Sequence, residues 1–152
     1  MPVETFSRET NLSPWYVTGF VEGEGTFTYS RTGEQLGLYF GVKLTARDRA
    51  ILERLQRFFG VGIIYDVRPA RPTARSGWTK SAAYYRVTRI AHLQRIVTHF
   101  DTYPLQGIKA SSYGVWRQMV EVKSAFRKPR RAELNALAMQ LSALNPRSQP
   151  WE

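Results

Sequence analysis

Two glutamates, Glu22 and Glu24, stand two residues apart at the end of the stretch PWYVTGFVEGEG (14–25), each followed by a glycine. Ser13 before Pro14 predicts a helix start, because proline at the first helical position gives up an amide that has no partner there. Trp15, Val17, Phe20 and Val21 supply its apolar side. A helix C-terminus carries partial negative charge, so carboxylates there are disfavoured unless a cation offsets them. Gly19 and Gly23 are four residues apart, share one helix face and would let another backbone approach closely. A bare-faced helix that aims carboxylates from its negative end points to helix-on-helix contact beside a metal site.

The elements that must position these acids follow in order. Thr26–Ser30 alternates polar and aromatic residues, as a strand does. After the turn-like Arg31–Glu34, positions 36–44 place Leu36, Leu38, Phe40, Val42 and Leu44 on one face and Gly37, Tyr39, Gly41 and Lys43 on the other. That is a hairpin with one buried and one wet face. Thr45 and Asp48 read as a capping-box relative opening a helix with Ile51, Leu52, Leu55, Phe58 and Phe59, which Gly60 ends. Val61–Val67 and Ser81–Val87 predict a second hairpin around a turn-rich tip with Arg68, Arg71, Arg75 and Lys80. Thr88 is placed to cap a helix with Ile90, Leu93, Val97 and Phe100. A long helix from Lys109 to Phe126 buries Trp116, Met119 and Val120, and Leu134, Leu137, Ala138, Leu141 and Leu144 mark a last amphipathic helix.

This order predicts an α+β fold: a four-stranded antiparallel sheet with helices on one face. The other face keeps Thr26, Thr28, Ser30, Tyr39, Lys43, Tyr84 and Arg86, and such a polar, basic and aromatic face can lie in a DNA groove. The chain has 152 residues, of which 43% are apolar, enough for one domain with a core. The expected divisions are an N-terminal arm (1–12), a core (13–127), a C-terminal helix (128–145) and a tail (146–152).

A balance of 22 basic against 12 acidic residues gives a net charge of +10, the footprint of a polyanion binder. Arginine outnumbers lysine 17 to 5, which suits bidentate phosphate and base-edge contacts. With no cysteine, disulfides and thiolate zinc sites are excluded. No apolar run approaches membrane-spanning length, and MPVETFSRET lacks signal-peptide character, so no membrane partner is expected.

VTGFVEGEG (17–25) resembles the nine-residue signature of the LAGLIDADG homing endonucleases: glycine third, two apolar residues, then acid–Gly–acid–Gly. Two further elements match in order, FFGVG (58–62) and YPLQGIKASSYGVW (103–116), the latter similar to the family's Pro-Leu-x-Gly-x-Lys segment. The αββαββα order is that of the family's core, so the resemblance runs from about Ser13 to Phe126. It implies that Glu24 is the metal-binding carboxylate, that the Gly23 carbonyl also faces metal, and that Lys109 stabilises charge or organises water beside the scissile phosphate. Glu22 falls at the first acidic position, structural in the family. Where relatives place a glutamine near the end of the second strand stands Leu44, between Lys43 and Thr45. Taken alone, Glu24 reads as a surface acid and Lys109 as a solvated helix-start lysine; their joint occurrence favours the site.

A single copy of the signature implies a homodimer joined through Trp15, Gly19 and Gly23, acting on double-stranded DNA at a pseudo-palindromic site. The resemblance further implies cleavage across the minor groove leaving short 3′ overhangs. Carboxylate, carbonyl and water oxygens suit Mg²⁺, with Mn²⁺ expected to substitute and Ca²⁺ to bind without turnover; no small-molecule cofactor is expected. Expected DNA contacts are Thr28, Ser30, Thr32, Gln35, Tyr39, Lys43, Tyr65, Arg68, Arg71, Arg75, Lys80, Tyr84 and Arg86. The expected setting is intracellular: an archaeal or bacterial cytoplasm, or an organelle whose intron encodes the chain. Rival readings are an RNA-binding intron maturase, a DNA-binding protein of the same fold without catalysis, and a ribosomal or structural nucleic-acid binder. None of the three needs both Glu24 and Lys109.

Overall fold

The computed structural model describes residues 11–67, 81–125 and 131–145. Helix α1 (Pro14–Glu24) runs directly into strand β1 (Gly25–Thr32), which turns at Gly33 into β2 (Gln35–Thr45). A 3₁₀ turn (Ala46–Asp48) leads to α2 (Arg49–Phe59), then β3 (Ile63–Val67) and β4 (Ala82–Val87). Helices α3 (Ile90–Thr102), α4 (Lys109–Ala125) and α5 (Arg131–Leu144) complete it. The four strands form one antiparallel sheet in the order β1-β2-β4-β3, so each hairpin contributes one edge and one central strand. The expected α+β architecture is therefore the one found.

Alternation sets the two faces of the sheet. Leu36, Leu38, Phe40 and Val42 of β2 are buried, as are Ala83, Tyr85 and Val87 of β4. Phe27 of β1 lies within 5.1–5.4 Å, ring centre to ring centre, of Phe40, Phe100, Tyr113 and Trp116. This aromatic knot binds β1, β2, α3 and α4 together, and cutting Phe27 back to alanine should cost about 3–5 kcal/mol. Fully buried Trp116 keeps its indole N–H satisfied by donating to the Thr28 carbonyl at 3.1 Å.

Several expected boundaries move. Thr45 and Asp48 make no side-chain cap bond. Thr45 still pairs with Ala82, and the Ala46 amide donates to the Ser81 carbonyl at 2.9 Å, so the sheet already satisfies donors that a capping box would serve. The helix starts after a 3₁₀ turn instead. Similarly, Arg89 rather than Thr88 precedes α3, its carbonyl accepting the His92 and Leu93 amides. Ser13 precedes α1 without a side-chain cap bond. Strand β3 begins at Ile63 rather than Val61, because Gly62 has a positive φ of 96° and a side chain there would strike Tyr85. Leu144 is partly exposed at the end of α5. Phe126 lies outside the described residues.

Candidate active site and nucleic-acid interface

Helix α1 buries Val17, Thr18 and Val21 against the core and turns Trp15, Gly19, Gly23 and Glu24 outward. Gly25 makes the abrupt change from helix to strand possible. A Cβ there would lie 2.5 Å from Val21 Cγ1 and 3.0 Å from the Val21 carbonyl oxygen. The last acid of the helix, Glu24, thus stands at a corner beside the first strand.

The two glutamates have different surroundings. Glu22 Oε1 accepts the backbone amides of Gln106 and Gly107 at 2.6 and 2.7 Å, pinning the loop that opens α4. Glu22 Oε2 is buried without a partner. Glu24 is exposed. Lys109, first residue of α4, donates from Nζ to the Val21 carbonyl at 3.0 Å, placing an ammonium at the negative end of α1. This is the cation that the two acids require. Burial holds the Lys109 ammonium below the ordinary lysine range, against the opposing pull of Glu22 and Glu24. The structure therefore brings together Glu24 and Lys109, 85 positions apart in the chain.

The donor types at this corner are hard oxygens: the Glu24 carboxylate and the backbone carbonyls of the last helical turn, Gly23 among them. This donor chemistry fits a divalent cation such as Mg²⁺. Among the described residues no group of three or more His, Cys, Asp or Glu side chains converges.

The outer face of α1 is bare. A Cβ at Gly19 or Gly23 would meet nothing within 4 Å, while Trp15 and Tyr16 are 55% and 46% exposed. Trp15 packs edge-on against Tyr103 at 5.2 Å. Behind the helix, buried Thr18 donates to the Tyr103 carbonyl at 2.8 Å and lies 3.1 Å from His99 Nε2. With the hydroxyl proton so engaged, Nε2–H is the donor to Thr18. His99 sits among Phe58, Phe59, Phe100 and Tyr103, and burial lowers its pKa to about 4. Nothing in the sequence flagged this tie, because its members are 81 residues apart.

The open face of the sheet carries the expected polar and aromatic residues. Thr28, Ser30 and Thr32 alternate along β1, Gln35, Tyr39 and Lys43 along β2, Tyr84 and Arg86 along β4, and Tyr65 lies on β3. Lys43, Tyr84 and Tyr65 form one row across three strands, and Gly41, Arg86 and Ile63 the next. Leu44 packs on the core, leaving Lys43 and Thr45 on the open face. Arg68, Arg71, Arg75 and Lys80 lie outside the described residues. One member of the face was not anticipated, Ile63, 62% exposed; Gly41, expected on this face, makes room by its bareness for the Tyr84 ring.

Residues 17–120 match the family model described as LAGLIDADG endonuclease, and the chain belongs to that family. Among curated proteins it is 33% identical over 120 residues to an uncharacterized 50.9 kDa protein in ND4 intron 1 of Podospora anserina, covering 73% of this chain and 24% of that one. It is 25% identical over 126 residues to probable intron-encoded endonuclease 3 of Neurospora crassa, covering 78% and 22%. The chain spans about a quarter of the length of these relatives. Among solved structures it superposes on the meganuclease I-AabMI bound to uncleaved DNA with a TM-score of 0.72 and 25% identity, covering 88% of this chain and 45% of that one. The homing endonuclease I-TnaI gives 0.73 and 23%, covering 91% and 92%. A third, I-SmaMI, bound to an uncleaved DNA target in the presence of calcium ions, gives 0.70 and 23%, covering 90% and 47%. No helix among the described residues is long and apolar enough to cross a membrane.

Proposed function

We propose that this chain is a site-specific double-strand DNA endonuclease of the intron-homing type, working as a homodimer with Mg²⁺. The observation that carries the proposal is the Lys109 ammonium held at the glycine-bare end of α1 within electrostatic reach of Glu24, with Glu22 engaged in holding the loop that precedes Lys109. Mg²⁺, when bound, supplies a Lewis acid for charge that develops on the phosphate and leaving oxygens. Glu24 and the Gly23 carbonyl are the donors that would hold it. Lys109, fixed by the Val21 carbonyl, places positive charge beside the scissile phosphate and orders water there. Glu22 is a positioning residue, since the loop it grips delivers Lys109.

Pairing through Trp15, Gly19 and Gly23 would complete the coordination sphere by adding a second Glu24. Two-fold symmetry then predicts a pseudo-palindromic target, cut to leave 3′ overhangs. Thr28, Ser30, Thr32, Gln35, Tyr39, Lys43, Tyr65, Tyr84 and Arg86 would face the groove. The basic segment holding Arg68, Arg71, Arg75 and Lys80 would meet the phosphates.

Selection of cut ends from a randomised duplex library, with Mg²⁺ present, tests the whole reading. Defined paired half-sites are expected. Glu24→Gln should abolish cutting with DNA affinity retained, Mn²⁺ should replace Mg²⁺, and Ca²⁺ should support binding alone. Absence of any metal-dependent cutting by the natural chain, with RNA or DNA still bound, would instead favour a maturase or a binding protein.

A further inference from the structure

Arg86 lies on the central strand β4, paired with Gly41 of β2 on one side and Ile63 of β3 on the other. Its guanidinium carbon is 4.3 Å from the Tyr39 ring centre, 4.8 Å from Tyr84 and 5.8 Å from Tyr65. Tyr65 and Tyr84 are themselves stacked, 5.4 Å apart and 5° from parallel. The clasp depends on a missing side chain: a Cβ at Gly41 would come within 2.7 Å of Tyr84 Cε1.

An exposed arginine gives up considerable rotamer freedom when it is ordered on a ligand. Three rings remove most of that loss beforehand and hold the guanidinium plane in one attitude. The Nε atom is buried and unpartnered, and the guanidinium also hydrogen-bonds Tyr84, so the Nη hydrogens that bond does not use are the ones left to a ligand. Arg86 stands on a central strand of the open face, away from both margins of the sheet. A phosphate can be met by a mobile arginine from many angles, whereas a base edge requires a fixed planar fork.

We propose that Arg86 is a specificity-determining residue that donates its Nη hydrogens to O6 and N7 of a guanine at one position of each half-site. Tyr39, Tyr65, Tyr84 and Gly41 are its positioning residues. This rests on the DNA-cleaving reading above, and it can fail while that reading stands.

The test compares cut-site selections for the natural full-length chain, Arg86→Ala, Arg86→Lys and Gly41→Ala on the same randomised duplex library. The natural chain should require guanine at one interior position per half-site. Arg86→Ala should lose about ten- to a hundredfold of discrimination at that position alone. Arg86→Lys keeps the charge and loses the fork, so it should lose the same preference. Gly41→Ala keeps Arg86 but displaces Tyr84, so partial loss at the same position is expected; this variant alters only the far end of one side chain and guards against misfolding of the others. A uniform loss of affinity across all positions would make Arg86 a phosphate contact and overturn the proposal. An unchanged profile would make it structural and overturn it equally. A natural chain that selects and cuts nothing would sink the endonuclease reading and this inference with it.

Discussion

Lys109 donates to the Val21 carbonyl oxygen, the same oxygen that accepts the Gly25 amide closing α1. One backbone atom thereby joins the end of the acid-bearing helix to the start of α4. Replacing Lys109 by methionine leaves that oxygen its Gly25 bond, so stability should fall by only about 1 kcal/mol. Cutting should fall at least about a hundredfold, as expected when a charge aimed at a developing oxyanion is removed. Single-turnover cleavage and urea unfolding of the same preparation separate the two effects.

Glu22 and Glu24 should answer mutation in opposite ways. Glu22→Ala orphans the Gln106 and Gly107 amides and should cost about 2 kcal/mol in unfolding free energy. Glu24→Gln should leave the melting temperature within a degree or so while abolishing cleavage. If Glu24→Gln proved the less stable of the pair, the division of labour between the acids would be wrong.

Gly19→Leu probes the bare face. In the single protomer a Cβ at that position meets nothing within 4 Å, and replacing a helical glycine should stabilise the protomer by about 0.5–1 kcal/mol. The expected outcome is a protein that melts no earlier than the natural one, yet scatters as a monomer and does not cut. If the Gly19→Leu variant still formed an active dimer, a close seam at this face would be ruled out.

His99 sets a pH window. Its pKa in the folded protein, about 4, lies below the usual value of 6.5, so the unfolded chain binds more protons between these limits. Stability should therefore hold above pH 6.5 and decline by roughly 2–3 kcal/mol as the pH falls to 4. Denaturant midpoints measured across that range should drop, and a His99→Gln variant should give a flatter profile.

Much of this arrangement was legible in the residues because it is local. The alternation from Leu36 to Leu44 defined the buried face of β2, and the run of leucines from Leu134 to Leu141 defined the core side of α5. The demand for a cation near Glu22 and Glu24 was also legible, since it follows from helix electrostatics. That Lys109 meets it by bonding to Val21 depends on the packing of α4, which no local pattern encodes. The starts of α2 and α3 slipped for a related reason. Thr45 and Thr88 have the chemistry of caps, but at Thr45 the sheet ladder had already claimed the backbone. The Tyr clasp on Arg86 required the relative register of β3 and β4, and the long tip between those strands hides that register from any count of residues.

Helix α5 lies against one margin of the sheet. Asn145 donates to the Phe27 carbonyl, Tyr29 bonds Ser142, Arg31 bonds Asn135, and Arg131 reaches Glu34 at the hairpin turn. A border strand ordinarily tempts any passing chain to extend its ladder and so to aggregate. Here the fold fastens its own last helix along that border, which makes sheet-to-sheet growth from β1 unattractive. With that border taken, β3 is left as the sheet's other margin.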